Sequence, residues 1–318
     1  MRRTLEYQID APWQGTTIKY FLKEKGYTAG SLAELKKYRN GVLLNGQPVY
    51  VTHPLETGDI LTINIIEENS SSKINPVELP LDIIYEDEDL LIIDKPAGMP
   101  VHPSANNYDT SVANALAWYY EQREIPFVFR CINRLDKDTS GLMLVAKHFV
   151  SAGILAGMIS KKNADTFPAL DTSVTSHPAG HSGITREYLA IVRGSLTPPT
   201  GTIDVPIGRK EGSVIERTVN FETGERALSH YWLLEEANGH SLVALRLETG
   251  RTHQIRVHMK HIGFPLIGDF LYNPDREWIN RHALHSHRLE FAHPIIGRIM
   301  TFVSPLPIDM GNVLHPSQ

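Results

Sequence analysis

Cys131-Ile-Asn-Arg134-Leu-Asp136-Lys-Asp138-Thr139-Ser140-Gly141-Leu-Met-Leu-Val-Ala146 is the stretch on which the fold turns. Its first half packs two carboxylates, an arginine and a hydroxyl pair into the seven residues from Arg134 to Ser140, and its second half is an unbroken apolar run. The pattern is a polar loop feeding a buried strand, with Gly141 letting the backbone turn between them. Polar groups crowded against a core lose solvation unless they are partnered. The loop is therefore either a chemical cluster or an ordinary Asp/Thr/Ser/Gly turn, and its own letters leave both readings open.

Length and composition set the outer limits. A chain of 318 residues exceeds what one core usually serves, so two domains are expected, and 42% hydrophobic with 21% charged residues is a globular balance. No apolar run reaches the roughly 18 residues that span a bilayer. The start, Met1-Arg-Arg-Thr-Leu-Glu6, lacks the apolar centre of a signal peptide, so a cytoplasmic location with no membrane partner is expected. The single cysteine, Cys131, excludes an internal disulfide and a multi-cysteine zinc site. A net charge of -5 excludes a uniformly basic nucleic-acid binder and leaves only local patches to look for.

Such a patch lies near the start. Ile18, Phe21 and Leu22 recur at helical spacing between Gly15 and Lys25, Gly26 stops the helix, and Ser31 with Glu34 predicts a capping box for a second helix over 31–39. Val42-Leu-Leu44 and Pro48-Val-Tyr-Val51 flank Asn45-Gly46, the strongest short hairpin signal, and a strand follows over 60–66. Between Thr16 and Asn40, Lys19, Lys23, Lys25, Lys36, Lys37 and Arg39 face only Glu24 and Glu34. That excess suits phosphate contacts, although a solvated helix face has the same composition. The order of elements resembles the small RNA-binding domain first described in a ribosomal small-subunit protein. Residues 1–66 are assigned to it.

Residues 67–80 are polar, serine-rich and broken by prolines, the composition of a linker. A hairpin opens the larger domain, 81–318, around the acidic turn Glu86-Asp-Glu-Asp89, which would repel a phosphate backbone and is expected to face away from one. Helices are predicted over 111–122 and 149–160. Residues 161–185 show neither helical nor strand periodicity and predict a long mobile loop. In the strand that follows, Tyr188, Ala190 and Val192 fall on one face, with Leu189 and Ile191 on the other. Further strands over 202–205, 226–234, 241–247, 283–294 and 299–303, with few helices, predict a mixed, mainly antiparallel sheet of the α+β class.

The second dense segment runs Gly250-Arg251-Thr252-His253-Gln-Ile-Arg256-Val-His258-Met-Lys260-His261-Ile-Gly263. Thr252 is the expected cap of a helix over 253–261. Arg256 and Lys260 stand at i, i+4 on it, two like charges that call for an acid or a phosphate nearby. The histidines here and at 282, 285 and 287 do not reproduce a two-histidine, glutamate-bearing metal helix, so no metal is expected. Nor is there a phosphate-cradling glycine loop or a dinucleotide fingerprint, so no nucleotide cofactor is expected. Asp136-Lys-Asp138-Thr139-Ser140 comes near the D-x-D-x-T motif of haloacid-dehalogenase-like phosphatases, with serine in the last place, but Asn133 and Arg134 interrupt the strand that should precede it.

Arg134-Leu-Asp136-Lys-Asp-Thr139-Ser140-Gly141-Leu142 resembles the catalytic motif of the RluA-like pseudouridine synthases. Arg186-Glu-Tyr188 to Gly194, and Gly250 to His258 with Gly268-Asp269, resemble that family's second and third motifs in the right order, and Leu284-His285 to His293-Pro294 its last strand. The resemblance covers residues 81 to about 307. It implies an isomerase that converts uridine to pseudouridine in RNA without cofactors, with ribosomal RNA favoured over transfer RNA. It further implies catalytic roles for Asp136, Tyr188 and Arg256, and substrate contacts by Arg134, Thr139, Arg251 and His253, while Lys19, Lys23, Lys36 and Lys37 are the expected phosphate contacts of the small domain. Two departures stand out: Asn133 replaces the family's histidine, and the 161–185 segment is unusually long. A non-catalytic RNA-binding scaffold is the alternative of a different class.

Overall fold

The computed structural model describes residues 1–160 and 183–316. The loop expected over 161–185 lies outside the described residues as far as residue 182, and Thr185 already belongs to a strand.

The N-terminal part is a four-stranded antiparallel sheet of β1 (Arg2–Gln8), β2 (Val42–Leu44), β3 (Gln47–Pro48) and β4 (Ile60–Ile66), in the order β1-β4-β2-β3. Helices α1 (Ile18–Glu24) and α2 (Ala29–Leu35) pack their apolar stripes on it. Asn45 and Gly46 both take positive φ, the turn chemistry that a two-residue hairpin needs. Two details differ from the sequence reading. The second helix is capped by Thr28, whose hydroxyl accepts from the N–H of Ser31, so Ser31 lies inside the helix and no Ser31–Glu34 box forms. β1 carries little apolar signal, with only Leu5 buried, yet it pairs along its whole length with β4.

The larger sheet contains β5 (Asp82–Glu86), β6 (Leu90–Lys95), β7 (Ser140–Ala146), β8 (Thr185–Arg193) and β9 (Thr200–Asp204). A short hairpin of β10 (Ile207–Arg209) and β11 (Arg217–Val219) stands apart; β12 (Leu228–Ala237), β13 (His240–Leu247), β14 (Leu284–Ala292) and β15 (Ile299–Val303) complete the sheet. The order is β5-β6-β7-β14-β8-β13-β12-β9 with β15 on β14, antiparallel except where β7 meets β14. Helices α3 (Val112–Glu121), α4 (Phe149–Ser160), α5 (Gln254–His261) and α6 (Ile308–Leu314) cover its faces.

The unbroken apolar run of β7 follows from its place between two helices. Met143 and Val145 enter one core with Val112, Leu116 and Tyr120 of α3, while Leu142, Leu144 and Ala146 enter another with Leu155 of α4. β8 divides in the same way: Tyr188, Ala190 and Val192 face the first core, and Leu189 and Ile191 face a cluster that holds Met310, Val313 and Leu314 of α6. A strand buried on both faces cannot alternate apolar with polar, so its hydrophobic residues run on.

The acidic turn is a packed junction rather than a solvated tip. Glu86 accepts from Tyr119, Tyr120 and Lys147, and Asp87 accepts from its own turn's Asp89 and Leu90 N–H groups and from Tyr85. Asp89 takes Arg3 of β1 at 3.0 Å and His148 at 2.9 Å. His293 donates to Asp87 at 2.9 Å, and Asp87, Asp89 and His293 lie within 4.8 Å of one another. Segment 67–80 has linker composition and no regular element but is pinned down. Glu67 accepts from Arg130 and from the Phe149 N–H, and the Ser70 and Ser71 hydroxyls accept from Phe127 and Phe129. Val150 and Ile154 of α4 join the core of the small sheet directly.

Candidate active site

The loop that ends in β7 is held by short-range bonds. The Thr139 N–H closes a turn on the Asp136 carbonyl, and Asn133 is tied to the strand at both ends of its amide, donating to Leu142 at 3.1 Å and accepting from Leu144 at 2.7 Å. The residue that departs from the family's histidine thus braces β7. From below, the fully buried Lys95 donates to the carbonyls of Pro96, Met99 and Lys137 at 2.8, 2.8 and 2.9 Å. Burial pushes its ammonium down to about 7. Gly141 has φ +106, and a Cβ there would stand 2.3 Å from the Ser286 carbonyl oxygen, so this crossing of β7 and β14 admits only glycine.

Arg256 reaches the loop from α5. The helix begins differently from the expectation: the residue at its N-cap is His253, in the left-handed region at φ 59, and no side chain caps it. Gln254 organises the entry instead, its amide oxygen accepting from the Arg251 N–H and the Thr249 hydroxyl. Asp269, completely buried, grips Arg256 through both oxygens at 2.7 and 2.8 Å. That leaves Nη1 to donate to Asp136 Oδ2 at 2.9 Å. The acid that the Arg256–Lys260 pair called for is therefore supplied twice over to Arg256, while Lys260 lies over the Tyr272 ring.

Burial opposes a charge on Asp136, but His253 and Arg256 outweigh it and hold the carboxyl below the usual carboxylate range. His253, 3.7 Å away, is itself pushed down by burial, so at neutral pH the permanent charge of Arg256 is the one that counts. Tyr188 is buried beside the site, and burial pushes its phenol up.

Asp136, Tyr188, Arg256, Arg134, Thr139, Arg251 and His253 all line one cavity of about 660 Å³. That is within the range of small-molecule clefts, about 300–1,000 Å³. Arg186 and Arg226 line it too, so five arginines face Asp136 and Glu248 in a chain of net charge -5. Lys19, Lys23, Lys36 and Lys37 are absent from this cavity; they are exposed on and after α1 and α2, and Lys37 is paired with Glu34 at 2.8 Å.

Sequence reasoning assigned no role to Asp269, Lys95, Arg186 or His282. Asp269 and Arg186 lie within the Gly268-Asp269 and Arg186-Glu-Tyr188 segments, so their positions are visible in the sequence while their partners are not. His282 shares a 2.8 Å hydrogen bond with Thr139, and Arg186 is buried with its Nε unpartnered among the described residues.

The family model described as RNA pseudouridylate synthase matches residues 89–261. The chain is 38% identical over 298 residues to the uncharacterized RNA pseudouridine synthase YjbO of Bacillus subtilis, covering 94% of this chain and 98% of that protein. It is 40% identical over 273 residues to the ribosomal large subunit pseudouridine synthase D of Escherichia coli, covering 81% and 76%. Among solved structures, human RNA pseudouridylate synthase domain containing 4 shares the fold with a TM-score of 0.56 at 21% identity, over 74% of this chain and 92% of that one. The matched segment contains Asp136 to Thr139, so the phosphatase reading of that quartet falls away.

Proposed function

The chain belongs to the RNA pseudouridylate synthase family and isomerises uridine in RNA; from that premise we propose that its substrate is ribosomal RNA and that Asp136 is the reacting carboxylate. The reaction breaks the bond from ribose C1′ to uracil N1, turns the base within the pocket, joins C1′ to C5, and gives up the C5 proton to solvent while the freed N1 takes one up. Nothing is oxidised or reduced. The observation that carries the assignment is the 2.9 Å contact between Asp136 and Arg256, itself fixed by Asp269. It supports an ionised carboxylate in the cavity, ready either to attack C1′ or to remove the proton on C2′.

Tyr188 forms the platform under the uracil. Its raised pKa keeps the phenol protonated at neutral pH, which favours packing over service as a base toward C5. Arg134, exposed at the cavity mouth, holds the target nucleotide out of its helix, and Thr139, Arg251 and His253 complete the walls. Flipping a base costs a few kcal/mol, which cationic contacts to the displaced strand offset. Residues 1–66 serve as the RNA-binding module, with Lys19, Lys23, Lys36 and Lys37 on phosphates, and residues 81–318 as the catalytic domain. The ribosomal target is supported by the name of the Escherichia coli relative and by the module. A cytoplasmic location accords with it, and no helix among the described residues is long and apolar enough to cross a membrane.

Unmodified large-subunit ribosomal RNA carrying tritium at uridine C5 tests this reading. The wild-type chain should release tritium and Asp136→Asn should not; release by the variant at near the wild-type rate would refute the assignment and favour a scaffold role for the loop.

A further inference from the structure

The Asp136 loop has a second set of anchors that the chemistry above does not use. Residues 281–286 run alongside 138–142 and grip them in order. Arg281 Nη1 reaches the Asp138 carbonyl at 3.4 Å, His282 bonds Thr139 at 2.8 Å, and His285 bonds Ser140 at 3.0 Å. The Ser286 hydroxyl donates to the Leu142 carbonyl at 3.0 Å. Arg281 is buried, and Nη1 also donates to the carbonyls of His282 and Leu284, both at 3.2 Å. Its other face is taken by Asp309 of α6 in a bidentate pair at 2.7 and 2.9 Å. The same short helix presses Met310, Val313 and Leu314 against Leu189 and Ile191 of β8, the strand that carries Tyr188.

We propose that Arg281, aligned by Asp309, is a positioning residue for the reaction: it couples α6 to the Asp136 loop and sets where the carboxylate meets the ribose. The physical case is one of geometry. Asp136 is fixed at its carboxylate by Arg256 and the next carbonyl, that of Lys137, is held by Lys95; the grip of Arg281 on the Asp138 carbonyl extends the restraint to the following residue, on the side of the loop that faces α6. A planar guanidinium with both edges occupied resists rotation in a way that a single hydrogen bond does not. A displacement of about 1 Å at a reacting group is enough to cost on the order of a hundredfold in rate.

This inference rests on the synthase reading, so the test separates the two. Single-turnover tritium release is measured with excess enzyme on C5-tritiated large-subunit ribosomal RNA, beside equilibrium binding of the same RNA by filter retention. Arg281→Met should slow the saturating rate roughly ten- to a hundredfold while RNA affinity stays within about twofold. Asp309→Asn should lose rate in the same direction and less, and Asp309→Glu and Arg281→Lys should recover part of the loss. Because the Asp309 side chain is 47% exposed, its variants decide the matter if Arg281→Met does not fold. Full rate in Asp309→Asn, or a rate loss matched by lost affinity, would overturn the proposal. A wild-type chain silent on this RNA would instead sink the ribosomal assignment, and the same variants would then be compared on unmodified transfer RNA transcripts.

Discussion

Asp136 and Arg256 stand 120 positions apart in sequence and 2.9 Å apart in space, and the sign of their coupling makes a pH prediction. With Arg256 in place the carboxyl lies below its usual range, so it is ionised at neutral pH and loses its charge only as pH falls through that depressed value. In Arg256→Gln, burial is opposed by His253 without the guanidinium or its hydrogen bond, and the carboxyl rises. The acid limb of the single-turnover rate should then move to higher pH by about one to three units, whereas Arg256→Lys should keep it low. An acid limb that does not move in Arg256→Gln would mean that Arg256 does not set the charge state of Asp136.

At the scale of elements, α4 joins the two parts of the chain through close packing. A Cβ added at Gly153 would stand 2.9 Å from the Ser31 hydroxyl oxygen and 3.0 Å from Thr28 Cγ2, the pair that starts α2. One turn later on the same helix, Gly157 has nothing within 4 Å among the described residues. Gly153→Leu should therefore lower stability by about 1–3 kcal/mol through overpacking. Gly157→Leu should be neutral or slightly stabilising, since leucine favours a helix over glycine. Denaturant unfolding of both variants checks this, and equal stability would argue that the packing of α2 on α4 contributes nothing to holding the small sheet in place.

Across the whole molecule, charge is distributed against its own total. The net value of -5 coexists with five arginines around one cavity and with exposed lysines on the N-terminal helices, while Glu86, Asp87 and Asp89 are consumed by internal partners. If Lys19, Lys23, Lys36 and Lys37 touch phosphates, converting all four to glutamine should flatten the dependence of RNA affinity on salt, by roughly 0.7–0.9 in log–log slope for each phosphate no longer neutralised. Lys37, already paired with Glu34, should contribute least when changed alone. A salt dependence that stays as steep would count against the module as an RNA clamp.

Local physics made much of this legible in advance. The apolar run of β7, the alternating faces of β8, the Asn45-Gly46 turn and the helix over 149–160 depend on side-chain period and turn sterics within a few residues, and those are written in order along the chain. Caps were less secure, because Thr28 and Ser31 offer the same hydroxyl chemistry three positions apart. What the tertiary structure decided were the pairings over distance: Asp269 rather than solvent behind Arg256, Arg3 on the acidic turn, and the grip of residues 281–286 on the loop. No periodicity encodes these. A buried charge must find a partner, but only the closed chain determines which acid lies within about 3 Å of which guanidinium.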